Sequence, residues 1–435
     1  MEADATILPF CAVLIVVVPL VPAGMSLINC GFGRVRGAAN AILSSLAAMA
    51  VAGLLYCLVG YSWGGSTGGH SMVFHLGGKA WNWLAMEPLS LWGFLFSSGA
   101  PALVLALQTF TAGIAALIPV STGADRWRLR SVCFSSALLS AWIYPLFAHW
   151  VWADGWLAQL GTNFGLGHGF VDPGGAGVVQ VVGGLSALAI AWTLGPRHGK
   201  YPADGNSAAL PAHNVVFVLF GCVLVLPGWI ALNSTGAILF AGVSLARIPL
   251  VAVNTVLSGF ASFLVSILAT RIRFGKPDAS LCANGWIGGL VASSAISCFV
   301  APLVAILVGL VAGLLVTISV EVFEALLTVD DPGGAVSVHA VAGLWGLLAV
   351  GMVPQIANGP GAIGFGSQAN SGQLLAQVVG VSTLIGLILP MTYGLNLLLN
   401  RLDRQRVEDR AERLGMDLHE LGGGAYPEFV VHVDE

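Results

Sequence analysis

The sequence predicts an all-α integral membrane protein: eleven transmembrane helices, ten of them forming an inverted five-helix repeat and the eleventh closing the bundle. Three observations lead there: the composition, the side on which basic residues fall, and a phrase that occurs twice. Of 435 residues, 57% are hydrophobic and only 9% charged, against about 25% charged in ordinary soluble domains. Mean hydropathy is +0.87. The net charge of -4 is scattered, and no basic stretch is interleaved with aromatics, so nucleic acid is not an expected partner.

A bilayer core about 30 Å thick takes roughly 20 apolar residues per helical crossing. On that criterion spans are expected near 6–29, 37–61, 91–119, 132–152, 174–195, 212–233, 246–270, 281–298, 300–325, 334–354 and 375–399. The opening MEADATILPF carries no basic segment, and its apolar stretch is long enough to span, so it is read as a helix and not as a signal peptide. Of the 17 basic residues, all except Lys79 and Arg247 fall on one side of this arrangement. They group as Arg34 and Arg36; Arg126, Arg128 and Arg130; Arg197 and Lys200; Arg271, Arg273 and Lys276; then Arg401 to Arg413. Lys and Arg accumulate in cytoplasmic loops, which places the N-terminus outside and the C-terminus in the cytoplasm. The expected organisation is a membrane domain over 1–399, with repeats at about 6–195 and 212–354 and a final helix at 375–399, then a cytoplasmic tail over 400–435. The 7 cysteines are widely spaced and mostly inside apolar runs, which suits small buried hydrophobes and not a disulfide framework or a zinc site.

The repeated phrase is DPGGAGVVQ, from Asp172 to Gln180, and DPGGAVSVH, from Asp331 to His339. The two copies open the fifth and tenth spans, so an odd number of helices separates them and the second must be inverted. Each aspartate is a candidate helix cap that accepts orphan backbone N–H groups at the positive end of the dipole. At about 1.5 Å rise per residue, Gln180 and His339 lie roughly 12 Å below opposite faces. A core of about 30 Å leaves some 6 Å between them along the membrane normal. The two side chains are therefore expected to meet at the midplane, where inverted-repeat transporters place their substrate. A buried imidazole satisfied by one amide also reads as a structural latch, and polar groups inside membranes usually line a pathway or pair with one another.

Further phrases carry a resemblance. AHWVWADGWLAQLG, GWIALN, VNTV, GKPDASLCANGWIGGLV, VDDPGGAVSVHAVAGLWG and LGMDLHELGGGAY, in this order, make the chain resemble the ammonium transporter family (Amt/Mep/Rh) over nearly its whole length. The resemblance implies a homotrimer in the lipid bilayer with one narrow ammonium or ammonia pore per subunit and no cofactor. His339 matches one of the family's two pore histidines, and Gln180 falls on the other. Trp152 matches the recruitment-site tryptophan; an indole face attracts a cation by about 0.5–2 kcal/mol, although by position alone it also reads as an interfacial belt aromatic. Asp172 matches the buried acid of the vestibule, and GWIALN places Trp229 along the pore.

Departures from the family stand out in three places. ALQTFTAG puts Thr111, beside Phe110, at one position of the usual phenylalanine gate, and GWIALN puts Leu232 at the other. The family's site serine falls near Ser234 or Gly236. Gln180 hydrogen-bonds through both amide atoms but cannot exchange protons near neutral pH as histidine does. In the tail, Leu421 and Gly423 replace a family histidine and glutamate in the segment that engages a PII-type signalling protein in relatives. The expected function is ammonium or ammonia transport. The alternative is a weakly conducting or non-conducting receptor that binds ammonium at the outer site and signals through the tail. No nucleophile, base and orienting group recur with usable spacing, and no P-loop or metal motif is present, so an enzyme is not expected.

Overall fold

A computed structural model describes residues 2–65, 71–92, 99–202, 207–352 and 372–426. Among these, ten helices are long and apolar enough to cross a membrane, and an eleventh apolar helix is shorter. In chain order they are α1 (Thr6–Phe32), α2 (Val35–Gly64), α3 (Gly99–Thr122), α4 (Leu129–Trp152), α5 (Ala176–Leu194), α6 (Val215–Ala241), α7 (Leu245–Phe274), α8 (Ala279–Ile296), α9 (Pro302–Leu326), the shorter α10 (Val336–Met352) and α11 (Gln373–Leu402). The part of the tenth span expected beyond Met352 lies outside the described residues.

Two boundaries differ from expectation for physical reasons. The third span was expected from 91, but Ser90 and Leu91 have φ of 56° and 57°, which a right-handed helix excludes; the described part of α3 is Gly99–Thr122. The sixth span was expected to stop at Asn233, where polarity rises. Instead α6 runs to Ala241 and ends on Gly242 in the left-handed conformation, φ 62°. Its polar turn is held in part by neighbouring helices: Asn233 Nδ2 donates to Thr255 Oγ1 at 3.0 Å and to Ser293 Oγ at 3.1 Å, and Thr235 Oγ1 donates to the Ala231 carbonyl at 2.8 Å.

The two halves touch through glycine. A Cβ added at Gly24 of α1 would sit 2.5 Å from the Gly221 carbonyl of α6, and one at Gly221 would sit 2.6 Å from the Gly24 carbonyl. Small residues let helices approach where lipid removes any hydrophobic advantage. Gly221→Ala is therefore expected to destabilise by about 1–3 kcal/mol, read as a lower unfolding midpoint in detergent. Gly386→Ala is the control, because nothing lies within 4 Å of its added Cβ.

A two-stranded antiparallel hairpin, Ser71–Leu76 with Lys79–Ala85, was not foreseen. Its Gly77-Gly78 turn has φ of 61° and 76°, the double positive φ of a type I′ turn. Asn82 docks the hairpin on the end of α4: its carbonyl accepts from Trp156 N at 2.9 Å, and its side chain meets His149 at 2.9 Å. All seven cysteines are free, with Cys57 and Cys133 only partly buried. No cluster of potential metal ligands occurs among the described residues.

Candidate functional site

The repeated phrase builds the same start for α5 and α10. Gly175 and Gly334 take φ of 81° and 66°, a turn that glycine adopts without steric cost. Each helix then opens on a widened, π-type turn, Ala176–Val181 and Val336–Val341, a feature frequent at functional sites. Asp172 Oδ2 accepts from Gly177 N at 2.8 Å and Val178 N at 2.9 Å, and Asp331 Oδ2 accepts from Val336 N at 2.7 Å. The capping role expected of both aspartates is present, reached five and six residues ahead because the first turn is wide.

Their placement on opposite faces follows from neighbours. Asp331 Oδ1 accepts from Thr122 Oγ1 at 2.6 Å, at the end of α3. The Asp172 carbonyl accepts from Trp152 Nε1 at 2.6 Å, at the end of α4. Consecutive spans run in opposite directions, so these ends are at opposite faces.

The α5–α10 crossing is reciprocal. A Cβ at Gly184 would lie 2.4 Å from Ala340 N, and one at Gly343 would lie 2.6 Å from Val181 Cγ2 and 3.0 Å from the Ala176 carbonyl. At this crossing His339 Nδ1 and Gln180 Oε1 are 2.7 Å apart. An amide oxygen only accepts, so Nδ1 carries the proton and Nε2 keeps its lone pair. Gln180 is fully buried and His339 nearly so. Gln180 Nε2 is buried with no partner among the described residues, leaving a donor free beside that acceptor.

On the Trp152 face a cavity of about 210 Å³ is lined by Trp152, His168, Asp172, Pro173 and Phe240. Trp152 stacks on Phe240 at 4.2 Å between centroids and 4° between planes. One indole face is thus covered by Phe240. Asp172 Oδ1 is buried without a hydrogen-bond partner among the described residues. Phe240 was missed because α6 was expected to stop short of it; it stands seven residues beyond Asn233, on the same helical face.

The remaining candidates sit elsewhere. Thr111 Oγ1 is 2.6 Å from Tyr144 Oη inside a buried polar cluster between α2, α3 and α4, where Tyr56 also bonds Gln108. Phe110 packs half-buried against the core. Leu232 is buried, Trp229 Nε1 donates to Ser294 Oγ at 2.9 Å, and Ser234 Oγ is buried without a partner among the described residues. Neither Phe110, Thr111 nor Ser234 lines the 210 Å³ cavity. Gly236, the other register for the site serine, packs on the Pro173 carbonyl, where an added Cβ would stand only 2.2 Å away.

On the opposite face, buried charges tie loops together. Arg197 Nε and Nη2 donate to the two oxygens of Asp330, each at 3.0 Å, and Arg197 Nη1 donates to Asp125 at 3.2 Å. Arg126 Nη1 lies 3.7 Å from Asp330 and its Nη2 donates to the Asp330 carbonyl at 2.8 Å. Burial alone would raise the Asp330 carboxyl, but Arg126 and Arg197 outweigh it and hold it at about 2. The tail is docked on this network. Arg406 Nη1 donates to the Leu194 carbonyl at 2.9 Å, Trp127 Nε1 to Gln405 Oε1 at 3.0 Å, and Asp417 accepts from Asn40 N at 2.7 Å at the start of α2. Leu421 and Gly423 stay exposed.

An inverted pair of helix bundles that brings an imidazole and an amide together at their crossing, with an aromatic and acidic cavity at one face, defines a polytopic membrane protein of the transporter type. The family model of the Ammonium Transporter Family matches residues 8–426. The chain is 31% identical over 422 residues to Ammonium transporter Amt2 of Archaeoglobus fulgidus, covering 94% of this chain and 85% of that one. It is 30% identical to Ammonium transporter 1 member 1 of Solanum lycopersicum, covering 91% and 82%. Among solved structures, one described as Sensor Amt Protein superimposes with a TM-score of 0.85 at 26% identity, covering 97% of this chain and 100% of that one. Candida albicans Mep2 shares the fold, with a TM-score of 0.79 at 24% identity over 99% of this chain and 91% of that one. The chain belongs to the ammonium transporter family, a family of transport proteins and not of enzymes.

Proposed function

We propose that the chain carries ammonium or ammonia across the cell membrane through one pore per subunit of a homotrimer, with the N-terminus outside and the C-terminus in the cytoplasm. The single observation that carries this reading is the 2.7 Å contact between Gln180 and His339 at the crossing of the two halves. Ammonium is recruited at the outer cavity, where Trp152, stacked on Phe240, attracts the cation and the Asp172 carboxylate adds its field. At the crossing, the Nε2 lone pair of His339 accepts an N–H from ammonia while the Gln180 amide N–H donates to the ammonia lone pair. Trp229 and Leu232 wall this path; Phe110, Thr111 and Ser234, which do not line the 210 Å³ cavity, are assigned to its approach by the family resemblance alone.

A carboxamide does not titrate, so Gln180 holds the His339 tautomer without relaying a proton. Gln180→His is therefore expected to raise ammonium-driven current severalfold on a solid-supported membrane. The swap is close in size and is expected to cost under about 1.5 kcal/mol of packing. Unchanged current between pH 5 and 8, a range that brackets the imidazole reference of about 6.5, would remove the relay from the explanation.

Receptor function is the second reading. It is favoured by the neighbour described as Sensor Amt Protein together with the docked tail, although Leu421 and Gly423 replace the histidine and glutamate with which relatives meet a PII-type protein. An ammonium pulse on purified, reconstituted protein separates the two. Sustained current supports transport, whereas ammonium-dependent tryptophan fluorescence change with no current supports the receptor.

A further inference from the structure

Beneath the docked tail lies a cavity of about 310 Å³ with one wall from the tail and the other from the loops that join α1 to α2 and precede α6. Its polar lining includes Arg34, Arg36, Arg413 and His213, and its apolar lining includes Val35, Pro211 and Met416. Among the described residues, neither Arg36 nor Arg413 has a carboxylate partner, and Arg36 Nη1 reaches only the Arg413 carbonyl at 3.3 Å.

The two carboxylates in the wall are already taken. Asp125 accepts from Arg197 at 3.2 Å and from the Arg34 backbone N–H at 3.0 Å, and Glu412 accepts from Arg406 at 2.7 Å and from His198 N at 2.5 Å. His213 Nδ1 donates to the Gly33 carbonyl at 3.1 Å, so the buried Nε2, without a partner among the described residues, keeps its lone pair and is a free acceptor in the wall. The cavity is thus open to solvent beside the exposed Arg36 and Arg413, and its two carboxylates are paired with other groups, Asp125 also lying 3.9 Å from Arg34 Nε. Guanidinium forks match the oxygens of phosphate in paired hydrogen bonds, and the volume is at the lower end of ordinary ligand sites.

We propose that this cavity binds a phosphate-bearing anion, either the headgroup of a lipid with net negative charge or a soluble phosphate compound, and that the anion clamps the tail to the membrane domain. Arg34 stands in the short connection between α1 and α2 and Arg36 in the first turn of α2, and the exposed Val35 and Pro211 offer apolar surface to a lipid's glycerol region. Because one wall is the tail, a ligand that binds the docked form stabilises it, and docking in turn tightens the ligand.

The test reads amide hydrogen exchange of residues 409–421 in nanodiscs. Three samples are compared: phosphatidylcholine alone, phosphatidylcholine with phosphatidylglycerol, and phosphatidylcholine with added pyrophosphate. Exchange is expected to slow at least threefold in one or both of the anionic samples, and R36Q/R413Q is expected to remove the slowing. Slowing by phosphatidylglycerol alone identifies a lipid, by pyrophosphate alone a soluble ligand, and by both a site that reads only the shared phosphate. No slowing in either sample, or undiminished slowing in the double variant, overturns the proposal. Should that variant fail to reconstitute, Pro211→Trp fills the cavity from an exposed position without removing a charge, and undiminished slowing there overturns it equally.

Discussion

His339→Ala is expected to lower ammonium-driven current at least tenfold while the protein still reconstitutes as a helical assembly. The imidazole presents a lone pair at the α5–α10 crossing beside the Gln180 amide. Without it, Gln180 Oε1 loses its 2.7 Å partner and Nε2 already lacks one among the described residues. A buried amide left unpaired costs about 1–3 kcal/mol, so the unfolding midpoint should fall modestly and without collapse. Current and midpoint measured on the same preparation distinguish the outcomes. Full current in the alanine variant would reduce the contact to a structural latch.

Asp330→Ala is expected to have the largest effect on stability, about 3–5 kcal/mol. Removing one member of a buried ionic network leaves the others uncompensated, and here both Arg126 and Arg197 lose their shared carboxylate at one stroke. The carboxyl is held at about 2, below its usual 3.8. Its contribution is therefore complete above about pH 4 and is lost as pH falls through 2. A midpoint for Asp330→Ala close to that of the parent at neutral pH would show that the two arginines find other acceptors.

Much of the frame is legible in one dimension because lipid imposes length. Apolar runs of membrane thickness gave spans close to the observed helices, and the duplicated aspartate phrase predicted the meeting of Gln180 with His339. What escaped shares a different physics. The extension of α6 through Asn233, Ser234 and Thr235 depends on partners in α7 and α8, which no local polarity reveals, and Phe240 was lost with it. The Gly77-Gly78 turn was a readable signal for the hairpin, but its aromatic strands resemble membrane-interface sequence. The tail's docking rests on contacts such as Trp127 with Gln405, 278 residues apart, where a side chain pairs with a distant polar group and leaves no periodic trace.

The reciprocal crossing of α5 and α10 also bears on how the chain is made. Gln180 and His339 are separated by 159 residues, and at about 5–20 residues per second of synthesis the second emerges roughly 8–32 s after the first. For that interval α5 is in the bilayer, or waiting beside it, with an amide that has no imidazole to meet. Each half of the chain is thus born with a polar group that only the other half can satisfy, and the nascent protein must be sheltered from lipid until its mirror image arrives.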